Sequence, residues 1–445
     1  MKLQNTGISG MYENYQAQYA AKLVSVDEAL SHIRDGDVIG AGAAAGEPAR
    51  LLERLSSLNG RVHGLKYYSG LGMRNYPFLS DPACRESFTV DNVFMMAPGR
   101  ASHRKGLSNV YPNHLHNGSA RWLEHSPVNV FMVAVTPMDR HGYFRMSMCL
   151  IHEREMLEQA DLVIVEVTPD MPVICGDTEV HISQVDYIVE GDGKMPEIPA
   201  SEPTAVEQAI GAHIAELVHD GDTIQLGIGG IPDAVGRGLM SKHDLGVHTE
   251  MITNSILDLV AAGVVTGRKK TLHRGKIVGA FTLGSRDLYD FLDQNPGILL
   301  MPGAYVNNPS VIAQNDNMVS INTTLNVDLT GQCASESIGS LQYSGSGGQC
   351  DTAIGALHAK GGRNIIAVKS VAHTKSGDVS AINAQLPLGS VVTLSRNDVD
   401  YIVTEYGVAP MRGRSVRERV DNLVAIAHPD YREQLRQDAQ RLMLW

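Results

Sequence analysis

The sequence predicts an α/β protein of two related open domains with mostly parallel sheets, and three observations support this. The chain has 445 residues, which is too long for one ordinary core. Continuous Val/Ile/Leu runs alternate with helical patterns, as in parallel strands covered on both faces. Segments of the first half also have echoes in the second. We place the domains at residues 1–195 and 196–445, with the polar stretch "EGDGKMPEIPASEP" at the boundary.

The first echo joins residues 28–55 to residues 209–239. Each segment contains a helical pattern, an Asp-Gly-Asp turn, a short strand, a glycine-rich bend with a proline, and a second helical pattern. Ligands of open α/β sheets bind beyond the carboxyl ends of the strands, often where domains meet. We therefore expect the two glycine bends to line an active site between the domains.

The second echo pairs two apolar strands in each half. "SPVNVFMVAVTPMDRHGYFRMS" and "ADLVIVEVTPDMP" in the first half match "RNIIAVKSVAHTKSGDVS" and "VDYIVTEYGVAP" in the second. The second strand of each pair ends on a glutamate, Glu166 or Glu405.

Composition excludes several classes of function. The net charge is -12 with scattered basic residues, which argues against nucleic-acid binding. No apolar run approaches the roughly 20 residues of a membrane helix, and the first residues lack the apolar core of a signal peptide, so we expect no membrane association and a cytoplasmic location. The five cysteines are odd in number and widely spaced, as expected for reduced thiols.

A metal site is not expected. His114, His116 and His125 cluster loosely, but their spacings of two and nine do not match a zinc ligand set. We interpret them as surface or domain-interface histidines.

Two glycine-rich segments could approach a ligand. "LGIGGIPDAV" follows a strand and opens a helix, so its backbone N–H groups could meet an anion, or it could be a plain tight turn. It is not a dinucleotide fingerprint, since Pro232 stands where glycine or alanine is needed, and no Walker A lysine follows. "YSGSGGQCD" could aim N–H donors at a developing oxyanion, or it could be a flexible surface loop.

A carboxylate is the candidate nucleophile. No Gly-x-Ser-x-Gly elbow is present, which leaves little support for a serine hydrolase. Glu250, in "GVHTEM", lies 20 residues beyond Gly230, a distance that fits one helix and the next strand. Glu250 is therefore either a catalytic acid at the end of the same sheet or a structural carboxylate.

Four ordered motifs resemble one family. The combination of "LGIGGIPDAV", "LGVHTEM", "YSGSGGQCD" and "VTEYGVAPMRGRS" is similar to the acetyl-CoA hydrolase/transferase family of class I coenzyme A transferases, and most similar to its 4-hydroxybutyrate and butyryl-CoA:acetate branch. The match extends from about Ala29 to Arg432. The resemblance implies a tandem CoA-transferase fold, a homodimer, and CoA or acyl-CoA as a substrate rather than a permanently bound cofactor.

The resemblance also assigns roles to residues. Glu250 would be the nucleophile, and the backbone N–H groups of Ile228 and Gly348 would be oxyanion donors. Asn307 and Glu405 would line the carboxylate pocket, although Glu405 could instead hold a loop. The residues implied to contact CoA are Gly227, Ile228, Gly229, Gly230, Ile231, Ser344, Gly348 and Lys375; the last could also be an ordinary exposed lysine.

The function implied is transfer of CoA between a short-chain acyl-CoA and a free carboxylate such as 4-hydroxybutyrate, butyrate or acetate. The resemblance implies a ping-pong reaction through a glutamyl-CoA thioester, with hydrolysis as a side or alternative activity. Two other hypotheses stay open: a dinucleotide-dependent oxidoreductase, which lacks the third glycine, and a non-catalytic CoA-binding module, which the complete Glu250 motif argues against.

Overall fold

The computed structural model describes residues 8–198, 202–375 and 377–444. Contacts divide the chain into two compact units. The first unit comprises the described residues up to 111, then 117–198 and 281–302, and the second comprises the rest. One change of unit, at residue 198, falls close to the predicted boundary between 195 and 196, which stays a prediction. Two short segments belong to a different unit from the residues on either side of them: 112–116 to the second unit and 281–302 to the first. The sequence patterns do not predict either exchange.

The first unit contains a seven-stranded parallel sheet. We number the strands of the two main sheets in chain order. Those of the first unit are β1 (Val38–Ala41), β2 (Leu65–Gly70), β3 (Phe88–Phe94), β4 (Asn109–Val110), β5 (Val130–Val135), β6 (Leu162–Val167) and β7 (Tyr187–Glu190). They lie in the order β4-β3-β2-β1-β5-β6-β7. The order reverses direction between β1 and β5, which makes this an open, doubly wound sheet.

Helices cover the sheet of the first unit. Helix Ala49–Leu55 buries Leu51, Leu52 and Leu55 in a core that also holds Ile39 of β1. The other helices of this unit are Ile8–Lys22, Val26–Leu30, Pro77–Ser80, Ala97–Arg104, Glu153–Gln159 and Arg286–Leu292, with most of Leu115–His125.

The segment 281–302 belongs to the first unit and contains a short strand, Ile298–Leu300. The Leu300 amide donates to the Cys175 carbonyl at 2.9 Å, and Leu300 forms a bridge with Gly176. A Cβ on Gly176 would lie 1.9 Å from the Leu300 carbonyl oxygen, so only glycine permits this approach.

Seven strands of the second main sheet lie in the second unit. They are β8 (Thr223–Leu226), β9 (Gly246–His248), β10 (Ile277–Gly279), β11 (Met318–Thr323), β12 (Arg363–Ala367), β13 (Tyr401–Thr404) and β14 (Gly407–Pro410). They lie in the order β10-β9-β8-β11-β12-β13-β14, all parallel except the final β13–β14 hairpin. The fold class predicted from the sequence, α/β with mostly parallel sheets, is confirmed.

Capping residues determine where two helices of the second unit begin. Thr204 and Glu207 form a reciprocal capping box at the start of Ala205–Glu216, and Ser415 and Glu418 form another at Val416–Ile426. The remaining helices of this unit are Gly230–Gly238, Asn254–Ala261, Gly303–Val306, Pro309–Ile312, Gln349–His358 and Pro429–Arg441. No helix in the described ranges is long and apolar enough to cross a membrane.

The strand orders correct the second sequence echo. β1 and β8 occupy equivalent positions, as the first echo predicts. β5, however, is equivalent to β11, whereas the echo pairs it with β12, so the second echo is displaced by one strand. The physical reason is that neighbouring parallel strands buried on both faces share the same continuous apolar pattern, which does not distinguish one from the next.

Candidate active site

Glu250 lies at the carboxyl end of β9 in the second unit. The Thr249 amide donates to the Val278 carbonyl at 3.0 Å, and the Ala280 amide donates to the Glu250 carbonyl at 2.9 Å. The Thr249 hydroxyl donates to the Leu226 carbonyl at 3.1 Å, at the end of the neighbouring strand β8. These backbone contacts hold Glu250 at the edge of the sheet where ligands of open α/β folds bind.

Buried His248 connects β9 to the helix before Asn307. Burial lowers the pKa of His248 to about 3, so the ring is neutral at physiological pH. Its Nε2 lies 2.8 Å from the Val306 carbonyl oxygen and therefore carries the proton and donates. This bond fixes the residue that precedes Asn307 relative to the strand that precedes Glu250.

Asn307 holds the Glu250 carboxylate. Its side chain is fully buried, and its Nδ2 donates to Glu250 Oε2 at 2.8 Å. A charge-assisted hydrogen bond of this kind fixes one carboxylate oxygen and leaves the other available for reaction.

Gly348 supplies a second donor at the same carboxylate. The Gly348 backbone N–H hydrogen-bonds to Glu250. A Cβ on Gly348 would lie 1.9 Å from Glu250 Oε2 and 2.0 Å from Asn307 Nδ2, distances that no side chain allows. Glycine is therefore required here because the backbone must come within hydrogen-bonding distance of the carboxylate.

The surroundings raise the basicity of Glu250. Burial, together with the nearby Asp351 carboxylate, raises the pKa of Glu250 to about 7, against the hydrogen bonds from Asn307 and Gly348. A desolvated carboxylate with a pKa in this range is a stronger nucleophile than one in water.

The loop 227–230 follows β8, next to the strand that precedes Glu250. Gly229 has φ +116°, a conformation that favours glycine, and a Cβ on Gly230 would lie 2.3 Å from the Glu207 carboxylate. Ile228 is 46% exposed, while Ile231 is buried in the helix that follows. Since β8 and β9 are parallel neighbours, the loop and Glu250 lie at the same edge of the sheet.

Glu336, which sequence reasoning missed, supports the second glycine loop, residues 343–348. The amides of Tyr343 and Ser344 donate to the Glu336 carbonyl at 2.7 and 3.1 Å. The Ser346 hydroxyl donates to Glu336 Oε2 at 3.0 Å, while the Ser344 hydroxyl is turned to the Gly345 carbonyl at 3.0 Å. No motif marks Glu336, because its role depends on contacts that only folding creates.

Two predicted site residues lie outside the group around Glu250. Lys375 is exposed at the turn between the strands Val371–Thr374 and Gly377–Ser380. Glu405 accepts from the Ser370 amide at 3.0 Å and from the Ser370 hydroxyl at 2.5 Å. The observed contacts of Glu405 are those of a carboxylate that holds a loop, which is the structural alternative raised from the sequence.

A buried acid flanked by two histidines lies beside Glu250. Asp351 is 1% exposed and accepts from the His116 amide at 2.9 Å and from His116 Nδ1 at 2.8 Å. His114 Nδ1 lies 3.5 Å from the same carboxylate. From the sequence these histidines are expected at a surface or domain interface; His114 is 55% exposed, and the structure joins His114 and His116 to Asp351 within the second unit. Within the described residues, no group of three or more His, Cys, Asp or Glu could hold a metal ion.

We expect Asn307→Ala to lower kcat by about 10 to 10²-fold, because it removes one fixed donor to Glu250, the expected nucleophile. Since that hydrogen bond lowers the pKa of Glu250, its loss should also move the acid limb of kcat/KM to higher pH. pH–rate profiles of the two proteins measure both effects. An unchanged limb would show that Asn307 does not contact ionised Glu250 during the reaction.

We expect Glu405→Gln to lower the free energy of unfolding by about 1 to 3 kcal/mol, since two hydrogen bonds to a charged group are weakened. Urea denaturation measures this change. The KM for the carboxylate substrate should stay within about twofold of wild type. A large rise in that KM with unchanged stability would instead place Glu405 in the substrate pocket.

Known proteins resemble this chain over most of its length. Models of the acetyl-CoA hydrolase/transferase N-terminal and C-terminal domains match residues 10–199 and 284–439. The chain is 40% identical over 429 residues to a succinyl-CoA:cyclohexane-1-carboxylate CoA transferase of Geobacter metallireducens, covering 96% of this chain and 97% of the relative. It is 41% identical over 418 residues to a 4-hydroxybutyrate coenzyme A transferase of Clostridium kluyveri, covering 94% and 97%.

A solved structure shares the fold over almost the whole length. RipA from Yersinia pestis superposes with a TM-score of 0.90 at 36% identity, covering 97% of this chain and all of that chain. The two domain models and the full-length relatives lead to the same conclusion: the chain belongs to the acetyl-CoA hydrolase/transferase family.

Proposed function

We propose that the protein is a coenzyme A transferase that moves CoA between a short-chain acyl-CoA and a free carboxylate, with Glu250 as the nucleophile. The observation that supports this most directly is the Glu250 carboxylate itself, fixed by Asn307 and the Gly348 N–H and made more basic by burial. The names of the relatives, which include CoA transferases acting on cyclohexane-1-carboxylate and 4-hydroxybutyrate, support the same reaction class.

The first half-reaction transfers CoA to the enzyme. The Glu250 carboxylate attacks the acyl carbonyl and the C–S bond breaks. CoA departs as the thiolate, and Glu250 becomes an acyl-glutamyl anhydride. The thiolate then attacks the glutamyl carbonyl, the bond between the glutamyl carbon and the bridging oxygen breaks, and the first carboxylate departs with that oxygen, which leaves a glutamyl-CoA thioester. An incoming carboxylate reverses both steps. A covalent intermediate divides one difficult exchange into easier ones.

The two donors at Glu250 suit the second of these attacks. When thiolate adds to the glutamyl carbonyl, negative charge builds on an oxygen of Glu250, where the Asn307 amide and the Gly348 N–H already point. Preorganised donors at such an oxygen stabilise the transition state. For the acyl carbonyl, the proposed oxyanion donor is the Ile228 N–H. The proposed contacts to CoA are the loop 227–230, Ser344 and Lys375.

The test is to trap the thioester. The protein is incubated with butyryl-CoA, treated with borohydride, which reduces a thioester to an alcohol, and mapped by peptide mass. We expect a loss of mass in the peptide that holds Glu250, absent from Glu250→Gln and retained in the control Glu202→Gln, which changes an exposed acid. No modification with any short acyl-CoA would contradict the proposal and favour a CoA-binding module.

Transfer and hydrolysis differ only in the final acceptor. We propose transfer as the main activity, because a pocket that desolvates Glu250 should also restrict water. CoA release that needs no added carboxylate would instead identify a hydrolase. We also propose a cytoplasmic homodimer, as the resemblance implies, and light scattering after gel filtration tests the assembly state.

A further inference from the structure

We propose that Asp351, held in place by the imidazoles of His114 and His116, is a positioning residue that sets the electrostatic environment of the Glu250 carboxylate. This inference depends on the proposed role of Glu250 as nucleophile. It assigns to the His-Leu-His segment at residues 114–116 a part in the reaction that the family motifs around Glu250 do not indicate.

The placement of Asp351 supports the inference first. Gly348 caps the helix Gln349–His358, and Asp351 lies in its first turn, three residues beyond the glycine that contacts Glu250. The side chain of Asp351 is 1% exposed, so water screens its charge poorly. A charge buried one helical turn from the glycine that contacts Glu250 acts on that carboxylate more strongly than a surface charge would.

The partners of Asp351 keep it ionised. Burial alone would raise the pKa of Asp351, but hydrogen bonds from His114, from His116 and from the His116 amide hold it below its ordinary value. In turn, the Asp351 carboxylate and the Cys350 thiol raise the pKa of His114, which favours its cationic form. At neutral pH the cluster therefore presents an anion next to Glu250, partly offset by a cation behind it.

The consequence for the reaction follows from charge. Glu250 is anionic before it attacks and neutral as an anhydride or thioester. A neighbouring anion disfavours the charged form, so ionised Asp351 makes Glu250 more basic and favours its acylated states. The cationic form of His114 limits this effect, because its positive charge partly offsets the charge of Asp351.

The arrangement also explains why residues 112–116 fold with the second unit. His116 donates twice to Asp351, through its amide and its ring, although 235 positions separate the two residues. The groups that bear on the titration of the pair are Glu250, Asp351, His114, His116 and the Cys350 thiol.

The experiment compares pH profiles of kcat/KM for CoA transfer in wild type, Asp351→Asn and His114→Gln. Asp351→Asn removes the anion, so the acid limb should move to lower pH by roughly 0.5 to 1 unit. His114→Gln removes the cation that offsets Asp351, while the two bonds from His116 still keep Asp351 ionised, so the acid limb should move to higher pH. The control Asp430→Asn changes an acid whose side chain is 83% exposed and should leave the limb in place.

Opposite shifts would support the inference, since general loosening of the site would not move the limb in two directions. A folded Asp351→Asn with an unshifted limb, or equal shifts in both variants, would overturn it. If Asp351→Asn does not fold, His114→Gln decides alone, because the His114 side chain is 55% exposed and its substitution should be tolerated. A wild-type protein without CoA transfer would refute the proposed function instead and would give no profile to compare.

Discussion

Glu250→Gln is expected to lower kcat for CoA transfer by at least about 10⁴-fold, because an amide cannot form the anhydride or accept CoA. The fold should be preserved, since glutamine keeps the length of the side chain and can still accept from Asn307. Steady-state transfer from butyryl-CoA to acetate measures the loss, and unchanged unfolding in urea shows that the structure is intact.

Measuring the affinity of Glu250→Gln for CoA shows whether the variant has lost catalysis alone or binding as well. The Kd of Glu250→Gln for CoA should stay within about threefold of wild type, since the nucleophile is not proposed to hold the cofactor portion of the substrate. Residual transfer within about tenfold of wild type would mean that another group carries CoA and that Glu250 is a structural acid.

Gly348→Ala should lower kcat by about 10² to 10³-fold, the usual cost of losing one oxyanion donor. The added methyl would lie 1.9 Å from Glu250 Oε2 and 2.0 Å from Asn307 Nδ2, so it must displace either the carboxylate or the backbone N–H. Borohydride trapping should show less glutamyl thioester at equal times of incubation.

The matched control for this variant is Gly72→Ala. A Cβ on Gly72 would meet its nearest atoms at 3.6 Å, an ordinary van der Waals distance, so this change should leave activity near wild type. Full activity in Gly348→Ala would show that the backbone at residue 348 can withdraw without cost, and that the donor to Glu250 is dispensable.

Sequence patterns predict the backbone of this site well and its supporting contacts poorly. The glycine bend after β8 and the acid after β9 can both be placed at one sheet edge, because strand and helix lengths determine where each segment ends. Asp351 also stands within a recognisable motif. Its pairing with His116 could not be predicted, because no local periodicity records a contact across 235 residues.

Glu405 shows a second limit of sequence reasoning. Its position at the end of a strand fits a pocket residue and a loop anchor equally well, and the two bonds from Ser370 are those expected of an anchor. Lys375 similarly matches a family position, yet its side chain is exposed at a turn. Resemblance assigns such residues to a site, whereas hydrogen-bonding partners decide how each one is held there.

The assignment of residues 281–302 to the first unit has a consequence for biosynthesis. A ribosome makes the chain from its amino end, and domains generally fold as units during synthesis. The first unit, however, cannot complete the pairing around Gly176 until Leu300 has left the ribosome, after most of the segment that carries Glu250 has been made. Nascent chains shorter than this would hold an unfinished first unit, so this unit can complete its fold only after residues 199–280 of the second unit have been made.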